Sequence, residues 1–183
     1  MKAIILILSV LILTNCKNEK PIDSLELVTL KPVESNVKVV LEMLVPKDDI
    51  FQVFYTEDGT GNFSEEMSVR VIVKGNSRIQ KLVFELPEDL LITNLRIDVG
   101  ENIEQGQMLM NNFCVQYFNK KFEAHGKQFF HYFSPTEQIA VDYHNSTITP
   151  TKEGELYNPI FYQIDYIITE ELRKIQNREL LTK

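Results

Sequence analysis

The stretch from Val37 to Val45 reads VKVVLEMLV and decides the fold class. Apolar residues occupy every second position, at Val37, Val39, Leu41, Met43 and Val45, with Lys38 and Glu42 on the alternate positions. Side chains of a β-strand point alternately to the two faces of its sheet, so this period of two is typical of a strand with one buried face. Pro46 closes the stretch, and a turn is expected after it.

The same alternation recurs along most of the chain, within Phe51–Tyr55, Val69–Val73, Leu82–Leu86, Leu95–Val99 and Phe113–Tyr117, and two further aromatic strands are predicted at Phe129–Phe133 and Ile160–Ile168. No amphipathic helical pattern lies between these segments, which argues against a parallel sheet with crossover helices. About nine short strands at regular spacing predict an all-β protein with an antiparallel, jelly-roll-like β-sandwich.

Only the tail of the chain has a helical pattern, over Glu170–Leu181. Leu172, Ile175 and Leu180 form a thin apolar stripe, and the first turn is acidic, which favours the helix dipole. A helix of this length is marginal alone and must dock on another element. The sequence therefore predicts one short C-terminal helix after the sandwich.

Charge and length exclude several classes of protein. The chain has 183 residues, with 19 Lys and Arg against 26 Asp and Glu, and a formal charge of −7. An acidic balance argues against nucleic-acid binding, which needs a basic face. The hydrophobic content of 44% excludes a disordered chain, and the length is that of one domain.

The N-terminus has the pattern of an export signal. Lys2 precedes the apolar run Ala3–Leu13, which as a helix would span about 16 Å, too short to cross a bilayer. Leu13-Thr14-Asn15-Cys16 resembles the lipobox of bacterial lipoproteins. The resemblance implies signal-peptidase recognition of Leu13, Thr14 and Asn15, cleavage before Cys16, and acylation of Cys16.

This interpretation divides the chain into four parts. Residues 1–15 are predicted to be the signal peptide, 16–24 a lipidated tether, 25–169 the sandwich, and 170–183 the helix and tail. Lys17 takes the place of the Asp that commonly signals inner-membrane retention, so an outer-membrane anchor is favoured. Whether the protein faces the periplasm or the cell surface stays open. Cys114 then has no disulfide partner, and its apolar setting predicts a buried thiol.

The middle of the chain carries a second resemblance, on Asp48–Tyr55, Phe63–Ser68, Leu82–Pro87 and Leu95–Gly100. Together these segments resemble the galactose-binding-like and carbohydrate-binding-module-like β-sandwiches of bacterial cell-surface polysaccharide proteins. The resemblance covers roughly residues 38–121 and implies a jelly-roll fold with glycan contact. It transfers no catalytic residue.

Candidate ligand-binding residues fall in two places. The loop after the second strand offers Glu57, Asp58 and Asn62, whose oxygens and amide suit sugar hydroxyls. The segment Phe129–Phe133 adds His131 and Tyr132. Aromatic residues on both faces of that predicted strand mean either a ligand platform or a second face covered by the C-terminal helix, which is favoured.

Metal and catalytic patterns are weak. The loop Asp58–Asn62 lacks the ligand spacing of an EF-hand, and His125, His131 and His144 match no zinc spacing. The chain has neither a G-x-S-x-G elbow nor a phosphate-binding glycine loop. We therefore expect a protein without enzymatic activity or cofactor.

Two functions remain open. The first is an envelope lipoprotein, held by membrane lipid through Cys16, whose non-catalytic sandwich contacts a glycan. The alternative is an envelope scaffold or assembly lipoprotein that binds another protein, motivated by the acidic surface and the apolar stripe of the C-terminal helix.

Overall fold

The computed structural model describes residues 35–151, 157–164 and 166–176. The predicted signal peptide, its lipobox residues Leu13 to Cys16 and the tether lie outside the described residues. This part of the chain belongs to one compact unit, Glu34–Lys183. It contains the strands β1 Val37–Leu44, β2 Asp49–Thr56, β3 Ser68–Val73, β4 Gln80–Leu86, β5 Asn94–Asp98, β6 Met108–Tyr117, β7 Lys120–His125, β8 Phe133–Pro135, β9 Ile139–Asp142, β10 Thr147–Pro150 and β11 Ile160–Gln163, and the helix α1 Ile167–Gln176.

The strands form two antiparallel sheets. The six-stranded sheet has the order β4-β1-β6-β10-β9, with β7 also paired to β6. The five-stranded sheet has the order β3-β2-β5-β11-β8. The chain moves between the sheets after β1, β3, β4, β5, β7, β8 and β10. The consecutive pairs β2–β3, β6–β7 and β9–β10 are antiparallel neighbours in one sheet. The antiparallel β-sandwich with a short C-terminal helix is therefore confirmed.

The alternating residues of β1 lie at the centre of the core. All five apolar residues of its predicted inner face have no exposed surface, and Val39 lies between Phe84 of β4 and Val115 of β6. Burying an aliphatic side chain of this size contributes about 1.5–3 kcal/mol relative to leaving it exposed. The period of two thus fixes the register, because a slip by one residue would turn this whole row outward.

The predicted strand Phe129–Phe133 is wrong. Residues Gly126–His131 form a 3-10 helix, and only Phe133–Pro135 is a strand. Gly126 has a φ of +49°, and the backbone N–H of His125 donates to Gln128 Oε1 at 3.0 Å, which closes a capping box. Phe129, Phe130 and Phe133 are buried. The rings of Phe129 and Phe133, which lie four positions apart, stack with their centroids 4.8 Å apart.

The boundary between the last strand and the helix also differs from the prediction. The predicted strand Ile160–Ile168 ends at Gln163, and α1 begins at Ile167 rather than at Glu170. Tyr166, with a φ of +65°, turns the chain between them. Residues 177–183, including Leu180 of the predicted stripe, lie outside the described residues.

The helix docks through its apolar side. Ile168, Leu172 and Ile175 are buried, and α1 packs against β6 and β7. Gln176 exchanges two hydrogen bonds with the backbone of Ile92, at 2.6 and 2.9 Å, in the connection between β4 and β5. The described part of the stripe, Leu172 and Ile175, therefore belongs to the core rather than to an outer surface. Within the residues that the structure describes, no helix is both long and apolar enough to cross a membrane.

Candidate functional site

A row of three large side chains crosses the outer face of the five-stranded sheet. Phe54 of β2 and Tyr162 of β11 are both register partners of Arg96 on β5, so the three side chains project from the same face. The guanidinium carbon of Arg96 lies 4.3 Å from the centre of the Phe54 ring and 5.8 Å from that of Tyr162. Such contacts are attractive because the ring faces are electron-rich.

The charge of Arg96 is matched by Asp98. Nε and Nη2 of Arg96 donate to the two carboxylate oxygens of Asp98 at 2.8 and 2.6 Å, a bidentate pair. Burial raises the pKa of Asp98, and the hydrogen bonds and charge of Arg96 oppose that shift. The pair places a cation between two rings while adding no net charge to this face.

The loop after β2 folds back onto the same face and is tied to β5. Asn94 Nδ2 donates to the Thr60 carbonyl at 2.7 Å, and Thr56 Oγ1 donates to that carbonyl at 2.8 Å. The backbone N–H of Gly59 donates to Thr93 Oγ1 at 3.0 Å. The loop therefore has a defined position, and it carries Phe63 into edge contact with Phe54, with ring centroids 6.4 Å apart.

These elements enclose a shallow recess of about 220 Å³, which we call the Tyr162 recess, lined by Gly59, Gly61, Phe63, Asn94, Tyr162 and Gln163. Tyr162 is 43% exposed, and its ring lies 6.5 Å from that of Phe63. Gln163 Nε2 donates to Asn94 Oδ1, and Gln163 Oε1 accepts from the backbone N–H of Leu95 at 2.8 Å. An amide has two donors and two acceptor sites, so Gln163 keeps one of each for a ligand.

The loop residues predicted to bind ligand lie beside this recess but serve the loop itself. Glu57 Oε1 accepts from the backbone N–H of Leu91 at 2.9 Å. Asp58 accepts from the N–H and the hydroxyl of Thr60, and the backbone hydrogen bond is the main cause of its lowered pKa. Asn62 is exposed, and its backbone N–H donates to Thr60 Oγ1 at 3.3 Å. Asp58 and Asn62 therefore make the contacts of a turn, and Glu57 ties the loop to the connection between β4 and β5.

The two candidates of the aromatic segment, His131 and Tyr132, have surroundings different from those of the loop residues. Tyr132 is partly buried, with its ring edge-on to Phe122 at 4.9 Å between centroids. His131 is exposed and lines a second recess with Lys127, Phe130 and Tyr143. The structure therefore does not bring His131 and Tyr132 together with Glu57, Asp58 and Asn62 in one recess.

Metal-ligating and nucleophilic groups are dispersed over the described residues. In residues 35–151, 157–164 and 166–176, no three His, Cys, Asp or Glu side chains come together in a manner that could hold a metal ion. Cys114 is partly buried on β6, which corrects the expectation of a fully buried thiol. Desolvation raises the pKa of the Cys114 thiol to about 11, so the thiolate that reacts with electrophiles is scarce at neutral pH.

Comparison with known proteins adds no assignment: no family model, curated protein or solved structure matches this chain. The geometry of the described residues is therefore the basis for a functional conclusion, together with the sequence patterns.

Sequence reasoning missed the residues that line the Tyr162 recess. Tyr162 belonged to a predicted aromatic strand, and Phe63 and Arg96 to segments quoted for the second resemblance, but none was predicted to bind ligand. Gln163 lies in the same predicted strand as Tyr162, and Asn94 belongs to no predicted element. The sequence offers one signal for this recess. Tyr162 follows the buried Phe161 in a strand, so its ring projects away from the core and is available on the surface.

Proposed function

We propose that this protein is a lipid-anchored envelope protein whose sandwich holds a neutral glycan at the Tyr162 recess without transforming it. The observation that carries the proposal is the exposed Tyr162 ring beside the Asn94 and Gln163 amides. A sugar ring needs a flat aromatic surface for its C–H face and fixed donors and acceptors for its hydroxyl groups. The recess offers both within one small area.

The electrostatics of the recess favour an uncharged sugar. Arg96 is occupied by Asp98, and the polar groups that line the recess itself are amides, a phenol and backbone. An acidic sugar would find no unpaired cation among the residues that line this recess. A basic ligand would compete with Arg96 for Asp98, which already accepts two charge-assisted hydrogen bonds.

The dimensions of the recess favour a surface contact with a polymer. A volume of about 220 Å³ is below the roughly 300–1,000 Å³ of sites that engulf a small ligand. The recess would therefore hold part of a chain while the remainder of the polymer extends into solvent. Several weak contacts of this kind along one polymer strengthen the overall binding, because each contact raises the effective concentration of the polymer at the next.

The membrane anchor is the sequence-based half of the proposal. Acylation of Cys16 with two or more chains would hold the protein on the membrane, whereas a single chain binds reversibly. Cells fed a clickable fatty acid should label the wild-type protein and leave the Cys16→Ala variant unlabelled. Label retained by Cys16→Ala would exclude this anchor, and Cys114→Ala is the matched control because it removes the other thiol.

The alternative is an envelope scaffold that binds another protein, and the described part of its apolar stripe gives it little support. The apolar residues Ile168, Leu172 and Ile175 of the C-terminal helix are buried inside the fold and present no outer surface. The acidic charge of −7 remains, but charge alone gives no defined contact.

Affinity electrophoresis tests glycan binding directly. The full chain in detergent is run through native gels containing neutral galactan, xylan, mannan or glucan, together with Tyr162→Ala. The control is Tyr166→Ala, which removes a tyrosine that is 82% exposed and does not line the recess. At least one polymer should retard the wild type and Tyr166→Ala but not Tyr162→Ala. No retardation by any polymer, or equal retardation of all three proteins, would overturn the proposal.

A further inference from the structure

A second recess lies where the 3-10 segment Gly126–His131 meets the turn between β9 and β10. We call it the Tyr143 recess, and it is lined by Lys127, Phe130, His131 and Tyr143. Its volume is about 440 Å³, and it shares no lining residue with the Tyr162 recess. It is therefore a separate candidate site.

Both walls of this recess are held in place. Asp142 Oδ1 accepts from the backbone N–H groups of His144 and Asn145, at 2.9 and 3.2 Å, and Asp142 Oδ2 accepts from Asn145 Nδ2 at 2.7 Å. On the other wall, the backbone N–H of His125 donates to Gln128 Oε1 at 3.0 Å, and a Cβ atom at Gly126 would lie 3.1 Å from Ser146 Oγ, so the two segments approach closely. A site between two fixed segments loses little conformational entropy when a ligand binds.

The lining combines an aromatic surface with a cation. Tyr143 is 56% exposed, and its ring makes an edge contact with the buried Phe130 at 5.3 Å between centroids. Lys127 is exposed, and in the described part of the chain its ammonium group has no carboxylate partner. The His131 imidazole beside it can donate or accept a hydrogen bond.

We propose that the Tyr143 recess binds a carboxylated sugar residue, a uronate, within an acidic polysaccharide. The Tyr143 ring would cover the C–H face of the sugar, the Lys127 ammonium would pair with the carboxylate, and His131 would hydrogen-bond a hydroxyl group. This assignment goes beyond the neutral glycan proposed for the Tyr162 recess, because it adds a second site and a different class of sugar.

A uronate fits the recess better than an anionic membrane. A bilayer presents a broad surface of anionic headgroups, whereas this recess offers one lysine, which a single carboxylate can reach locally. The exposed tyrosine face also matches a pyranose ring better than a disordered lipid headgroup.

Calorimetry with two matched oligosaccharides tests this assignment. The full chain carrying Tyr162→Ala, which removes neutral-glycan binding at the first recess, is titrated in detergent with an oligogalacturonate and with the galactose oligomer of the same length and linkage, which has a hydroxymethyl group in place of each carboxylate. We expect the acidic oligomer to bind at least fivefold more tightly. Lys127→Gln should raise its Kd about fivefold, and Tyr143→Ala should raise it about tenfold or more.

The controls separate this site from general electrostatics and from the first proposal. Lys47→Gln makes the same change in net charge at an exposed lysine outside the recess and should leave the Kd unchanged. Restoring Tyr162 should likewise leave oligogalacturonate binding unchanged. Equal binding of the two oligomers, absence of binding, equal losses in Lys127→Gln and Lys47→Gln, or binding to anionic phosphatidylglycerol vesicles that Lys127→Gln abolishes would each overturn the assignment.

Discussion

The substitution Gly100→Ala should destabilise the fold far more than its size suggests. Gly100 has a φ of +115°, where residues with a Cβ atom are strained. A Cβ atom there would lie 2.4 Å from Oδ2 of the buried side chain of Asp49. This contact is with a side chain that cannot move freely, because Asp49 connects two loops.

The hydrogen bonds of Asp49 set the magnitude of the effect. Oδ1 accepts from the backbone N–H groups of Glu101 and Asn102, at 2.7 and 2.9 Å, and Oδ2 accepts from Gln105 Nε2 at 2.8 Å. Hydrogen bonds to a charged group contribute about 1.5–3 kcal/mol each. Losing two of them costs about 3–6 kcal/mol, and backbone strain adds about 1–3 kcal/mol, so the loss is at least about 4 kcal/mol and we take a conservative value of about 5 kcal/mol. That is a large part of the roughly 5–15 kcal/mol of a typical domain.

Gly59→Ala is the matched control. Gly59 also has a positive φ, of +77°, but no atom lies within 4 Å of the position that an added Cβ atom would take. Only backbone strain applies there, about 1 kcal/mol.

Urea unfolding of residues 17–183 followed by circular dichroism gives both values. The difference of about 4 kcal/mol should separate the two midpoints by about 2 M urea. Free energies of unfolding that agree within about 1 kcal/mol for the two variants would refute the role given to Asp49.

Two further predictions concern titrating groups. The pKa of the Cys114 thiol is raised to about 11, so the folded protein lacking residues 1–16 should react slowly with a thiol reagent at pH 8. The same protein unfolded in urea should react quickly, and similar rates in the two states would contradict the burial of the thiol. Because hydrogen bonds from Thr60 lower the pKa of Asp58 below 3.8, this turn should gain stability from the carboxylate above that value and lose it as the pH falls through the lowered pKa. The Thr60 amide signal should therefore titrate in NMR spectra with a midpoint below 3.8, and a midpoint above it would contradict the hydrogen bond.

The sandwich could be predicted from sequence because one face of most long strands is buried. β1, β4 and β5 each alternate over several residues, and burial of one face imposes that alternation directly. The sequence analysis did not predict β7, β9 and β10. β9 and β10 have four residues each, which are too few to show a period, and β7 has only Phe122 and Ala124 as apolar residues. The segment Phe129–Phe133 was misassigned because a run of aromatic residues favours a strand locally, whereas Gly126 and the Gln128 cap favour a 3-10 turn.

The recess residues could not be predicted, because tertiary pairing brings them together. Asn94 meets Gln163 across 69 positions of sequence, through the pairing of β5 with β11. Phe63 reaches Tyr162 only because its loop folds back onto the sheet. The carboxylates of Glu57 and Asp58 are residue types that often bind sugars. In the structure they accept hydrogen bonds from the backbone N–H groups of Leu91 and Thr60 instead.

The most direct test of the central claim is a map of glycan-induced shifts in two-dimensional NMR spectra. Neutral galactan, xylan, mannan and glucan oligomers are added in turn to the isotope-labelled full chain in detergent. At least one should shift the backbone amides of Gly59 and Gly61 and the side-chain amides of Asn94 and Gln163, and Tyr162→Ala should abolish these shifts. Shifts confined to other surfaces, or no shift with any of the four oligomers, would contradict a glycan site at the Tyr162 recess.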